Sequence, residues 1–324
     1  MIFFEVKMRT IFAIYITIAL LLSSLHAVKP QQFFYDISIF SWSSSQLDPS
    51  EFESVAELLK MNRINQIYQS FSENSIVNAS ASDFIKNMKI NNIDTFYLSG
   101  DPSWATERRN RSMRAKIDLI YEYNKKVDPN SQFSGIVFDV EPYLLSEWKE
   151  DSDRVMEKFL SNMVDTYEYA KQFDISVIIC IPYWFDNNYY DILERLISEA
   201  CDKVAVMNYA RNKEIKNIAN EVNIAKEYKK QIVCITEIQP PSGTSIPDSI
   251  TYYNYGLNVI WRMWNQVYSY FDYDDLSFSY HQYKQLKEFI NDLENSYKPA
   301  QIVKRPHITY DLLHDGKTYI SLIK

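Results

Sequence analysis

Glycine is scarce in this chain, with five in 324 residues, where ordinary usage is about 7%. None of the glycine-dependent turns that cradle phosphates or expose a nucleophilic serine is present: no G-x-G-x-x-G, no P-loop and no G-x-S-x-G. Nucleotide-dependent and serine-esterase chemistry therefore have no local support. Histidine is as rare, at four. There is no H-E-x-x-H, and His307 and His314 in the tail make no metal pattern, so neither a metal nor a cofactor is expected. The three cysteines, Cys180, Cys201 and Cys234, are widely spaced with no C-x-x-C, which fits neither a disulfide framework nor a zinc site. Cys180 and Cys234 fall in apolar strand-like runs and read as buried free thiols; one bridge involving Cys201 stays open. Positive charge is also short, with 34 Lys and Arg against 42 Asp and Glu and a formal net charge of −8. That balance argues against nucleic acid or an anionic membrane as the main partner.

Long apolar runs are absent too. Lys7 and Arg9 precede an apolar run over 11–22, followed by small and polar residues to Ala27. The run is 12 residues long, short of the roughly 20 a membrane span needs. Residues 1–27 read as a secretory signal peptide and predict a secreted protein, in the secretory pathway or outside the cell, with no stable membrane insertion after cleavage. An uncleaved anchor is the alternative. Two sequons, at Asn78 and Asn110, are potential glycosylation sites.

What is present is a regular alternation. Short β-branched or aromatic runs at 33–41, 64–71, 93–99, 134–140, 175–182, 203–208, 231–236 and 276–280 read as strands. Between them lie amphipathic stretches such as "FESVAELLKMN" and "RAKIDLIYEYNKKV", with apolar residues every three to four positions. Eight β units, each followed by a helical stretch, predict a (β/α)8 TIM barrel over residues 28–294. An open doubly wound sheet usually has fewer strands and a glycine-rich turn after the first. Here the first runs into "SWSSSQLD", without glycine. Residues 295–324 carry two alternating runs around Asp315-Gly316 and predict a C-terminal hairpin extension packed on the barrel.

In such a barrel the C-terminal strand ends converge on one mouth, where active sites sit. The residues expected there are Trp42, Asp101, Trp104, Asp139, Glu141, Tyr183, Trp184, Asn208, Tyr209, Glu237 and His281. Carboxylates with aromatic rings suit a carbohydrate, because sugar CH faces stack on rings and carboxyl pairs cut glycosidic bonds. The stretch "SGIVFDVEPY" carries the sharpest signal. Strand period two puts Val137, Asp139 and Glu141 on one face. Two carboxyls that close do not ionise together easily, so one keeps its proton, as a general acid must. The bland alternative is a strand-end salt bridge, to Arg211 or Arg108. Asp101 reads equally well as an N-cap, and His281 as a merely hydrogen-bonded histidine.

Residues 134–141, S-G-I-V-F-D-V-E, resemble the D-G-x-D-x-D-x-E signature of glycoside hydrolase family 18, the chitinases and endo-β-N-acetylglucosaminidases. Met207-Asn208-Tyr209 similarly resembles that family's M-x-Y. The resemblance implies Glu141 as general acid, Asp139 orienting a substrate 2-acetamido group that attacks the anomeric carbon, and Tyr209 hydrogen-bonding that acetamide. Ser134 and Val137 replace the first two acids of the signature, and Ala210 replaces the Asp after the Tyr. A second arrangement pairs Glu141 as acid/base with Glu237 as nucleophile, which needs about 5–5.5 Å between them. A third reading, from a different class, is a glycan-binding barrel without catalysis.

Overall fold

The computed structural model describes residues 35–243, 246–296, 310–312 and 318–320. Eight parallel strands close into a barrel: β1 Ile37–Ser41, β2 Gln66–Gln69, β3 Asp94–Ser99, β4 Ile136–Phe138, β5 Val177–Pro182, β6 Lys203–Met207, β7 Gln231–Glu237 and β8 Leu276–His281. β8 returns to β1 with Tyr280 opposite Ile39, which completes the ring. All eight expected strands form. β4 is shorter than its apolar run, because Gly135 precedes its ladder and the Glu141-Pro142 turn follows it.

Helices surround the barrel: α1 Phe52–Met61, α2 Glu73–Val77, α3 Ser82–Ile90, α4 Arg111–Asn124, α5 Ser152–Lys171, α6 Tyr190–Glu199, α7 Glu214–Asn217, α8 Ala219–Tyr228, α9 Leu257–Phe271 and α10 Tyr283–Ser296. α5 shows why they form. Asp151 caps it by accepting the Arg154 N–H at 3.0 Å, and Val155, Met156, Phe159, Leu160 and Met163 bury one stripe. Each such side chain contributes about 1.5–3 kcal/mol by leaving water.

Alternation along each strand divides the core in two. On β6, Ala205 and Met207 enter the barrel while Val204 and Val206 face the helices. The barrel floor is polar: Lys203 Nζ and the Tyr68 hydroxyl both donate to Gln66 Oε1, at 3.2 Å each. Above it Phe40, Tyr68 and Phe96 pack edge to face, with centroids 5.1 and 5.5 Å apart. The interior is therefore filled up to the mouth, as barrels of this size are.

All three cysteines are buried and free, Cys201 included. Asn110 is 1% exposed and its amide donates to Thr166 Oγ1 at 2.8 Å and to the Asn162 carbonyl at 3.1 Å. The folded chain thus closes the second sequon, while Asn78 is exposed. Strands β9 Tyr310–Leu312 and β10 Thr318–Ile320 pair antiparallel, as expected of a hairpin. Its turn at Asp315-Gly316, its packing on the barrel and the leader 1–27 lie outside the described residues. Among the described residues no helix is long and apolar enough to cross a membrane.

Candidate active site

The backbone beyond β4 stays extended because the Asp139 N–H still donates to the Ser99 carbonyl, at 3.0 Å. The strand's parity therefore continues. Val137 lies in the inner core and Phe138 and Val140 in the outer one, so Asp139 and Glu141 face the mouth. Glu141 Oε1 accepts the Tyr143 hydroxyl at 2.7 Å. The Tyr143 ring meets Trp184 at 5.3 Å between centroids, and Trp148 lies 6.4 Å from Tyr143 and 6.2 Å from Trp184. The loops after β4 and β5 thus build an aromatic wall directly behind Glu141.

Asp139 is half-buried as a residue, but its Oδ1 is sealed from solvent and has no hydrogen-bond partner among the described residues. Burial first, and the Glu141 charge second, push its carboxyl up to about 7, against His281 and the Cys180 thiol, which act the other way. Asp139 is thus an acid that holds its proton towards neutral pH. Cys180 stands beside it on β5, its thiol raised well above the ordinary value by burial and by Asp139.

Tyr209 follows the inward parity of β6 and packs on the inner core. Burial, then Glu237 and Asp139, hold its hydroxyl well above its ordinary value, so it stays a donor. Glu237 is 4% exposed and both its oxygens are engaged. Oε1 accepts the Gln239 backbone N–H at 2.7 Å. Oε2 lies 3.0 Å from His281 Nδ1 and 3.3 Å from the Gln239 amide nitrogen. Strand register sets Glu237 opposite His281. The Gln239 amide nitrogen also lies 3.3 Å from His281 Nδ1. The His281 ring stands 5.8 Å from Tyr209 and 6.1 Å from Phe40.

The mouth therefore gathers Asp139, Glu141, Tyr209, Glu237 and His281, with Trp184 in its wall. Trp42 is 38% exposed just past β1, and Tyr183 is half-buried against the outer core. One expectation is corrected, for Asn208, and Asp101 and Trp104 are each engaged in the fold. Asn208 has the opposite parity to Tyr209: its amide donates to the Glu214 carbonyl at 3.0 Å and contacts Cys234 in the outer core. Asp101 is an N-cap, accepting the Ser103 N–H at 2.8 Å and hydroxyl at 2.5 Å. Trp104 packs against the outer core, beneath the Lys116 ammonium of α4 at 5.8 Å. Nor does Arg211 pair with the carboxylates, since it bridges to Asp248 at 2.5 Å. Tyr143 and Gln239 escaped sequence reading, and Cys180 was read only as a buried thiol. Tyr143 sits in the turn that Pro142 opens after Glu141.

No family model matches the sequence, and no curated protein matches it either. Solved structures do resemble it. A chitinase from Bacteroides thetaiotaomicron is 14% identical, with 78% of this chain and 90% of that one covered at a TM-score of 0.50. The PgaB (BpsB) glycoside hydrolase domain from Bordetella bronchiseptica is 10% identical, with 81% and 97% covered at 0.50. A xylose isomerase domain protein from Planctomyces limnophilus is 11% identical, with 81% and 96% covered at 0.51. At these identities the likeness establishes the TIM-barrel fold, which hosts many chemistries.

Proposed function

We propose that this chain is a secreted glycoside hydrolase, distantly related to family 18, in which Glu141 is the general acid and Asp139 its partner. The observation that carries the reading is the pair itself: two carboxyls at the barrel mouth, one of them an acid up to about pH 7, beside an aromatic wall suited to sugar faces. Asp139 stores the proton that the pair shares, and Glu141 delivers it to the glycosidic oxygen as the bond to the anomeric carbon breaks. On an N-acetylated sugar the acetamide oxygen attacks that carbon, with Asp139 and Tyr209 orienting it. Water then opens the cyclic intermediate, with Glu141 acting as base. The resemblance at 134–141 and at 207–209 supports this route, as do the chitinase and glycosidase barrels among the similar structures.

Glu237 fits a supporting role better than a nucleophile's, because His281 and Gln239 occupy both its oxygens. The test is hydrolysis of a panel of chito-oligosaccharides and fluorogenic glycosides by wild type and Glu141→Gln. Release from N-acetylglucosaminides that the variant loses is the expected result. Release from other sugars alone moves the nucleophile to Glu237. Sugar binding without turnover by the folded wild-type protein overturns the enzyme reading in favour of a glycan-binding barrel.

A further inference from the structure

Four arginines fall within residues 108–114, the densest positive stretch of a chain whose formal net charge is −8. Arg108 and Arg109 stand in the turn before α4, and Arg111 and Arg114 follow three positions apart at the start of that helix, on one face. All four line one pocket of about 600 Å³, closed on its far side by Tyr169 of α5. The turn is fixed from behind. Arg109 and Asn110 take left-handed backbone, at φ 64° and 39°, and the Asn110 amide is anchored on α5 by Thr166 and Asn162. The acids of the pocket wall are already committed. Glu107 Oε2 accepts the Ser112 N–H at 2.7 Å and Oε1 its hydroxyl at 3.0 Å, and Asp118 Oδ1 accepts the Tyr169 hydroxyl at 2.7 Å. The guanidinium groups are not. Arg111 Nε comes only within 4.0 Å of Glu107, while Arg108, Arg109 and Arg114 have no side-chain hydrogen bond or ion pair among the described residues. Arg114 is held over the Tyr169 ring, 4.7 Å from its centroid, and its Nε is sealed from solvent with no acceptor among the described residues.

Like charges three positions apart on a helix repel, so four gathered cations with no acid bonded to them call for an anion from outside. A guanidinium fork matches the oxygens of a phosphate, sulfate or carboxylate. Several forks on one pocket favour the tetrahedral anions, which carry more acceptor oxygens. The net charge of −8 repels an extended polyanion, and a pocket of this volume takes a small molecule. We propose that this pocket binds a tetrahedral oxyanion, a phosphate or sulfate group, either free or as an ester on a small sugar. Arg114 is the fixed fork, stacked in place, and Arg108, Arg109 and Arg111 close on the anion from the turn and the helix start. The site shares no residue with the barrel mouth and does not depend on the glycosidase reading.

The probe is inorganic phosphate, followed by its ³¹P signal as the full chain is added at low salt. Binding should saturate, and Arg114→Gln should weaken it about tenfold or more, the worth of a hydrogen bond between charged groups. Arg114→Lys keeps the charge without the fork and should also bind more weakly than wild type. Arg111→Gln, at an exposed position, should weaken binding as well and decides the matter should the Arg114 variants not fold. Sulfate should displace phosphate, and acetate should do so about ten times less well, having fewer oxygens to offer. A phosphate and a sulfate monoester of glucose separate the two sources. Tighter binding than the inorganic ions assigns the sugar ester, and equal or weaker binding assigns the free ion. Absence of saturable binding overturns the proposal, as does an affinity unchanged in both glutamine variants. Equal displacement by acetate overturns the class of anion assigned.

Discussion

Gly100 and Asp139 are packed backbone against backbone: a Cβ at position 100 would stand 1.9 Å from the Asp139 carbonyl oxygen and 2.5 Å from its carbonyl carbon. No rotamer relieves that contact, because both obstacles belong to the main chain. Gly100 occupies the inward position at the end of β3 and lets the β4 extension close against it. Gly100→Ala should therefore cost about 3 kcal/mol or more and shift the carboxyl out of place. Urea unfolding measures the first effect and hydrolysis the second. An alanine variant with wild-type stability would mean that the two strand ends can part freely.

Tyr143 gives Glu141 its one side-chain hydrogen bond among the described residues and also leans on Trp184. Phenylalanine keeps the ring and removes the donor. Tyr143→Phe should lower kcat about ten- to hundredfold, the worth of a hydrogen bond to a charged group, with KM little changed. Tyr143→Ala should raise KM as well, because the wall loses a panel. A Phe variant with wild-type kcat across the pH range would remove Tyr143 from the positioning of Glu141.

The barrel was legible because each strand is buried on both faces and so reads as a continuous apolar run. Asp139 and Glu141 were legible because a carboxylate in such a run has to be explained. Side-chain direction at the strand ends was harder. Asn208 and Tyr209 are adjacent, and period two allows only one of them to face the mouth; the outer-core partners Cys234 and Glu214 claim Asn208. Trp104 was drawn off by the α4 layer in the same way. The Glu237–His281 pair depends on the β7–β8 register. Closure of the whole barrel sets that register, and no local motif encodes it.

Asp139 should make the protein less stable as pH rises. Its folded-state value of about 7 lies above the ordinary 3.8, so the native state holds a proton that the unfolded chain has lost. Unfolding therefore becomes easier between those two values and levels off above them. Asp139→Asn does not titrate. Its stability advantage over wild type should grow from near zero around pH 4 to about 4 kcal/mol above pH 7, while hydrolysis falls about a hundredfold or more. Denaturation at both ends of the range measures the gap. A gap independent of pH would show that Asp139 is ionised at neutral pH, and the proton store would have to be sought elsewhere.

A second buried acid provides a control away from the mouth. Glu221 on α8 is 0% exposed and neither of its carboxyl oxygens has a hydrogen-bond partner among the described residues. Burial, with Asp186 adding to it, pushes its carboxyl up to about 8 from 4.5. The sign is the same as for Asp139: stability contributed below the ordinary value is lost as pH rises towards the folded one. Glu221→Met, close in volume and without charge, should stabilise the fold by about 2 kcal/mol or more at pH 8.5. At pH 4.5 it should do so far less, and hydrolysis should be untouched at either. Urea midpoints at the two pH values decide it. Equal gains at both would trace the benefit to packing alone and show that the folded carboxyl ionises at its ordinary value.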